Sequence, residues 1–190
     1  RSRRSEIFTQ PLWQPGETAI RSTNLARFMV DAELSCGRKL TTYEDLHAFS
    51  VQDPGPFWRL VWDRCGVKGA PGSAPYLMDG DKMPGARFFP RATLNFAENL
   101  LAGTALNSAD AIVFRGEDKV SRRMSADDLR RQTAQLQGLL RRAGIQSGDR
   151  VAAMLPNVPE AIIGMLATSS LGAVWSSCSP DFGVQGVLDR

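Results

Sequence analysis

Cysteine and histidine are scarce in these 190 residues, and the scarcity excludes several chemistries. Cys36, Cys65 and Cys178 lie far apart, with no C-x-x-C pair among them. Such spacing builds neither a zinc site nor a disulfide framework, so free thiols in a reducing, cytoplasmic compartment are expected. His47 is the single histidine and no G-x-S-x-G turn accompanies it, which gives a Ser-His-Asp hydrolase little to stand on. On a helix rich in Tyr, Leu and Phe it reads instead as a packed or half-exposed side chain. No G-x-x-x-x-G-K-[ST] phosphate loop occurs. No apolar run reaches the length of a transmembrane helix, and no hydrophobic segment follows the N-terminal charges as in a secretory signal. Lys/Arg-rich helices and aromatic-interleaved basic strands are also missing, so neither nucleic acid nor membrane is expected as a partner. The net charge of +3 gathers partly at Arg1, Arg3 and Arg4, which read as a solvated end, the alternative being a contact with an anionic surface.

What is present divides the chain into residues 1–104 and 105–190. The first part holds Trp13, Trp58, Trp62 and most of the prolines, and reads as short helices laid in loops. In "NLARFMVDAELSCG", Leu25, Phe28, Met29, Ala32 and Cys36 follow helical spacing and Gly37 is placed to end the helix. "TTYEDLHAFS" and "PGPFWRLVWDRCG" predict two more, the latter with Trp58 and Trp62 one turn apart and Phe57 paired with Leu60 and Val61. Residues 69–75, "GAPGSAP", read as loop. In "LNFAENLL", Asn95 and Glu98 form an N-x-x-E variant of the capping box. Tyr43, Trp58, Trp62 and Phe89 are expected in core packing rather than in a ligand cage.

The second part follows a clearer plan. "AIVFRG" and "KVSRRMS" flank Gly116, Glu117 and Asp118 and predict a hairpin. Ser125 then caps a helix whose Leu129, Thr133, Leu136, Leu140 and Ala143 form one stripe, with Asp127 and Asp128 at its positive start and Gly144 at its end. "DRVAAMLP" reads as a buried strand, "VPEAIIGMLATSSLG" as a buried helix and "AVWSSC" as the next strand. Strand, helix and strand joined by short loops make a βαβ unit and a parallel sheet. In such sheets ligands gather at the carboxyl ends of strands.

One such end is "WSSCSPDFG". The triplet Asp181-Phe182-Gly183 matches the magnesium-holding triplet of protein kinases, but the Gly-rich loop and H-R-D segment of a kinase are missing, so the match is coincidental. Two readings stay open. The stretch is a buried strand turned by Pro180 and Gly183, or its small polar residues leave room for something narrow to pass, since buried hydroxyls need partners.

Two segments of the first part, "TYEDLHAFSVQDPGPFWRLVWDRCGV" and "FFPRATLNFAENLL", resemble the N-terminal segment of acetyl-CoA and acetoacetyl-CoA synthetases. The run from Met124 to Ser177 resembles the opening of the adenylate-forming domain shared by acyl-CoA synthetases, luciferases and peptide synthetases. Within that superfamily "GAVWSSCSPDFGVQGVLDR" is most similar to the acetoacetyl-CoA synthetase branch. Acetyl-CoA synthetases usually carry His in place of Trp175, and Phe-Gly-Gly-Phe where Ser179, Pro180, Asp181 and Phe182 stand. The resemblance implies an α/β fold: an N-terminal segment over 1–104, then a hairpin, a helix and a βαβ unit over 105–190 that begin a larger, here incomplete, AMP-binding domain.

The function implied is an ATP- and Mg²⁺-dependent ligase. Acetoacetate is adenylated with release of pyrophosphate, and CoA then displaces AMP. The family's triphosphate loop, adenine motif and catalytic lysine have no counterpart here, since they lie downstream of the position of Arg190. No catalytic residue is therefore carried over. The residues matching Ser179, Pro180 and Asp181 border the CoA pantetheine channel in acetyl-CoA synthetases, and that role alone is transferred. A start on Arg rather than Met, and a helical reading still running at Arg190, imply a piece of a longer chain, inactive as it stands. A ligase for acetate or propionate is the related alternative. If 190 residues were the whole protein, a noncatalytic binding or dimerisation module would be the other.

Overall fold

Short helices come first among the described residues, and two of them are begun by a threonine that satisfies one of the first amides. The computed structural model describes residues 11–103, 110–117 and 120–190. Arg1, Arg3 and Arg4 of the basic tip and Asp118 of the expected hairpin turn lie outside them. After α1 (Glu17–Arg21) comes α2 (Asn24–Cys36), where Thr23 Oγ1 accepts from the amide of Ala26 at 3.1 Å and Gly37, at φ +66°, ends the helix. α3 (Tyr43–Gln52) carries a full capping box that sequence reading had not singled out. Asp45 accepts from the amides of Thr41 and Thr42 at 2.9 Å each, bonds that hold its carboxyl below the usual range. α4 (Pro54–Arg64) starts on a proline, which has no amide to leave unsatisfied.

Four two-residue strands follow: β1 (Gly69–Ala70), β2 (Leu77–Met78), β3 (Arg87–Phe88) and β4 (Thr93–Leu94). They pair antiparallel, β1 with β4 and β2 with β3. Residues 69–75 are thus not loop throughout: Gly69 and Ala70 are held by a segment more than twenty positions away, a pairing that local composition does not encode. Then come α5 (Phe96–Ala102), β5 (Ile112–Arg115), β6 (Ser121–Met124), α6 (Ala126–Arg142), β7 (Arg150–Met154), α7 (Pro159–Ser170), β8 (Val174–Cys178) and α8 (Val184–Leu188). β5 and β6 form the expected hairpin, Ile112 opposite Met124, and β7 and β8 lie parallel, Arg150 opposite Val174 and Met154 opposite Cys178. Helices in loops, hairpin, helix and βαβ unit therefore occur in the order predicted.

The chain divides into two compact units, residues up to 67 with 71–92, and residues 68–70 with 93–190. The first is built around Ala32, Leu40, Leu46 and Phe49, against which Phe28, Phe57 and Leu60 pack. Phe57 reaches Phe28 and Phe49 edge to face at 5.8 Å each, a wider reach than its neighbours on α4. Trp62 is buried against Phe89, while Trp58 lies half exposed beside Phe88. Leu25, the first of the helically spaced apolar residues of α2, is exposed. His47 is exposed and stacks on Tyr43.

The second unit buries Ala97, Leu129, Ile163 and Leu166 together. Ser125 caps α6 through the amide of Asp128 at 3.1 Å, and Leu129 and Thr133 are buried as expected, whereas Ala143 at the end of the stripe is exposed. The buried hydroxyls of Thr133 and Thr168 find no hydrogen-bond partner among the described residues. Strand β7 corrects the sequence reading. Val151 and Ala153 are half buried while Arg150, Ala152 and Met154 are exposed. Continuous apolar character implies cover on both faces of a parallel sheet; here one face packs on α7 and the other is open. Among the described residues no helix is long and apolar enough to cross a membrane.

Candidate functional site

Strand β8 rests on α7 through Trp175, whose ring lies against Gly164, and α7 is held at both ends. At its start Arg122 of β6 donates two N–H groups to Glu160, at 2.6 and 3.0 Å. At its finish the Asn95 amide donates to the carbonyls of Ser169 and Ser170, at 3.0 and 3.3 Å, and Gln137 of α6 donates to Ser170 Oγ at 2.8 Å. The last carbonyls of a helix have no intrahelical partner; the Gly172 amide reaches that of Ser169 at 3.0 Å, and Asn95 supplies the donor for that of Ser170. Its Oδ1 meanwhile caps α5 by accepting from the amide of Glu98 at 3.0 Å. Only the Asn95 arm of the expected box is formed; the Glu98 carboxylate does not accept from the Asn95 backbone amide.

The Arg122 guanidinium holds the Glu160 carboxyl below its ordinary value of 4.5. A carboxylate whose pKa falls on folding adds stability above its unfolded value, and the increment disappears as pH drops through the folded one. Both side chains are about half exposed, so the increment is small. The chain is expected to lose stability more steeply than a Glu160→Gln variant as pH falls below about 4.5. Urea midpoints measured from about pH 6 to about pH 3 read the difference; parallel curves for the two proteins refute it.

Beyond β8 the chain turns sharply. Ser179 Oγ donates to Asp181 Oδ2 at 2.9 Å and accepts from the Asp181 amide at 3.3 Å, while the Phe182 amide donates to the Ser179 carbonyl at 3.2 Å. Ser179, Pro180 and Asp181 are therefore together in one turn, locked by a side chain bonding its own local backbone. Gly183 then starts α8, and Arg190 lies over the Phe182 ring at 4.6 Å.

Just before this turn a pocket of about 240 Å³ opens against Ala152, Met154, Ser176, Ser177, Cys178 and Arg190. Ser179, Pro180 and Asp181 stand next to this lining, not in it. Ser176 and Ser177 are exposed, which overturns the expectation of a buried strand there. Their hydroxyls need no internal partner and remain available. Sequence reading noticed the run of small polar residues but could not bring Val187 and Arg190 back over it. Pockets for whole small molecules run from about 300 to 1,000 Å³, so this space takes a slender part of a ligand rather than all of one.

A larger cleft of about 580 Å³ lies within the first unit, between Pro54, Arg59, Leu60 and Tyr76. Its polar lining is spent internally: Arg59 donates to both oxygens of Asp63, at 2.9 and 3.0 Å, and to the Tyr76 hydroxyl at 3.2 Å. Among the described residues no cluster of three His, Cys, Asp or Glu side chains is placed to hold a metal ion.

Comparison with known proteins gives two family matches. Residues 43–100 match the model described as acetyl-coenzyme A synthetase N-terminus, and residues 102–188 match that of AMP-binding enzymes. An acetoacetyl-coenzyme A synthetase from Rhizobium meliloti (strain 1021) is 53% identical over 95% of this chain and 27% of its own length. A malonamoyl-CoA synthetase from Penicillium aethiopicum is 37% identical over 94% of this chain and 25% of its own. The solved acetoacetyl-CoA synthetase from Streptomyces lividans superposes with a TM-score of 0.80 at 39% identity, over 95% of this chain and 28% of that one. The chain thus spans about a quarter of the relatives it matches.

Proposed function

We propose that this chain, which matches the models of AMP-binding enzymes and of the acetyl-coenzyme A synthetase N-terminus, forms the leading part of an ATP-dependent ligase of the adenylate-forming acyl-CoA synthetase family, joining acetoacetate to CoA. The observation that carries the reading is the 53% identity to an acetoacetyl-coenzyme A synthetase along 95% of the chain. In the reaction the carboxylate attacks the α-phosphorus of ATP, giving acyl-adenylate and pyrophosphate. The CoA thiol then attacks the acyl carbon and AMP leaves. Residues 1–104 serve as the N-terminal segment and 105–190 begin the adenylate-forming domain. The open face of β7 and β8, with Met154, Val174, Val184 and Leu188 exposed, supports a reading in which further chain completes the sheet and these residues alone are inactive. The enzyme is cytoplasmic in this reading.

For Mg²⁺ the described residues offer no cluster of ligands, and no step is assigned to them. For CoA the fit is better. Its pantetheine arm is narrow and carries amides, and the pocket before the Ser179–Asp181 turn is narrow, walled by small side chains and edged with free hydroxyls. Ser179, Pro180 and Asp181 border that passage and orient the arm; the thiol chemistry is CoA's own. Asp181→Phe is expected to slow thioester formation about tenfold more than adenylate formation, because the passage serves only the second step. Comparing CoA-dependent AMP release with pyrophosphate exchange measures the two, and equal losses in both count against the assignment.

The malonamoyl relative sharpens the substrate class. Acetoacetyl and malonamoyl groups differ only in CH₃ against NH₂ on a shared C3 carbonyl, so the class proposed is short carboxylic acids carrying a carbonyl at C3. The test is exchange of labelled pyrophosphate into ATP by the complete gene product with acetoacetate, malonamate, acetate and propionate in turn. Exchange with acetoacetate supports the reading. Exchange with acetate or propionate alone replaces it by a short-chain acyl-CoA synthetase.

A further inference from the structure

Gly164 stands in the middle of α7, where glycine costs about 1 kcal/mol against alanine. Its backbone does not require glycine, for no left-handed φ occurs there. What requires it is Trp175. A Cβ at Gly164 would sit 2.6 Å from Trp175 Cη2, 3.0 Å from Cζ3 and 3.3 Å from Cζ2. The indole of β8 thus lies directly on the backbone of α7, and the two elements meet at a distance that a single methyl group forbids.

If that methyl group were added, α7 has little freedom to retreat. The Arg122–Glu160 pair holds its start, Asn95 and Gln137 hold its finish, and Leu166, Ala167 and Thr168 are fully buried along it. Strand β8 is less constrained, since Val174 and Ser176 face the open side of the sheet. The strand yields, by about 0.8 Å, the gap between 2.6 Å and the 3.4 Å at which ordinary contact begins. Its far end carries Ser176, Ser177 and Cys178 of the pocket wall and then the Ser179–Asp181 turn.

We propose that Gly164 and Trp175 are a positioning pair for the thiol-transfer step, setting how far β8 stands from α7 and so where the CoA passage lies. The proposal rests on the ligase reading above. Displacements near 1 Å around reacting groups cost up to about a hundredfold in rate. Gly164→Ala in the complete gene product is therefore expected to lower kcat/KM for CoA about tenfold relative to acetoacetate-dependent pyrophosphate exchange. Adding Trp175→Phe to Gly164→Ala removes the outer indole ring and is expected to restore most of the ratio. Trp175→Phe alone leaves the strand unsupported and is expected to raise KM for CoA about threefold, which keeps the proposal testable should Gly164→Ala fail to fold. Equal losses in exchange and CoA transfer, a double variant no better than Gly164→Ala, or a folded Trp175→Phe protein with unchanged KM for CoA each overturn it. Absence of acetoacetate-dependent exchange in the unmodified protein refutes the ligase reading instead.

Discussion

Phe49→Ala is expected to lower the stability of the first unit by about 3–5 kcal/mol. The ring is 1% exposed and sits in the main buried cluster of that unit. Ala32, Leu40 and Leu46 surround it, Phe57 meets it edge to face at 5.8 Å, and the Arg38 guanidinium lies 5.7 Å above it. Alanine removes the transfer free energy of a phenyl group and leaves a cavity. It also breaks an aromatic chain in which Phe57 links Phe49 to Phe28, each such contact worth about 0.5–1.5 kcal/mol beyond area. Residues of α2, α3 and α4 pack on the vacated space, and among the described residues α4 alone of these helices has a further buried contact, Trp62 on Phe89. Domains hold only about 5–15 kcal/mol in total, so the loss is a large share. Urea unfolding followed by tryptophan fluorescence measures it, since Trp58 and Trp62 lie in α4 of the same unit. Phe49→Leu, which keeps most of the volume, should cost under about 1.5 kcal/mol. An alanine variant as mild as that would remove Phe49 from the centre of the core.

Asn95→Ala is expected to cost about 2–4 kcal/mol in the second unit, more than a helix cap alone explains. Loss of an N-cap is worth about 1 kcal/mol. The rest comes from the Ser170 carbonyl, which loses the donor that reaches it at 3.3 Å, whereas the Ser169 carbonyl keeps the Gly172 amide at 3.0 Å. A part-buried acceptor left unmade costs about 1–3 kcal/mol. Asn95→Asp separates the two roles. Aspartate caps as well as asparagine, so a cap-only account has it harmless. Here it loses both amide donors and sets a carboxylate against the negative end of α7, and it should be at least as damaging as alanine. Thermal unfolding of the three proteins decides the matter, and an aspartate variant equal to the unmodified chain would disprove the second role.

Much of this architecture could be read before any coordinates. The helices α2, α3, α4 and α6, the hairpin and the βαβ unit follow from spacing, caps and turn residues within a few positions of each other. Gly37 ends α2 and Ser125 starts α6 as local chemistry demands. The strands β1 to β4 were hidden, because two residues have no period to detect and each is held only by its distant partner. The apolar run of β7 was legible as a strand, but its burial was not. Burial depends on what covers each face, and Ala152 and Met154 carry no record of that. The Ser179–Asp181 turn was readable from Pro180 and Gly183. The pocket beside it was not, for it exists only once Val187 and Arg190 return to β8.

The sequence by itself determined which segments turn, which coil and where they stop, together with the family resemblance carried by the last nineteen residues. These rest on bonds between residues no more than a few positions apart, whose energies are the same wherever the segment finally lies. Only the tertiary structure decided that Asn95 serves two helices, that Gly164 makes room for Trp175, and that the serines of β8 face open space. Each of those depends on contacts across eleven to seventy-five positions. They exist only after chain entropy has been spent to bring the two ends together, and no local pattern of residues announces them.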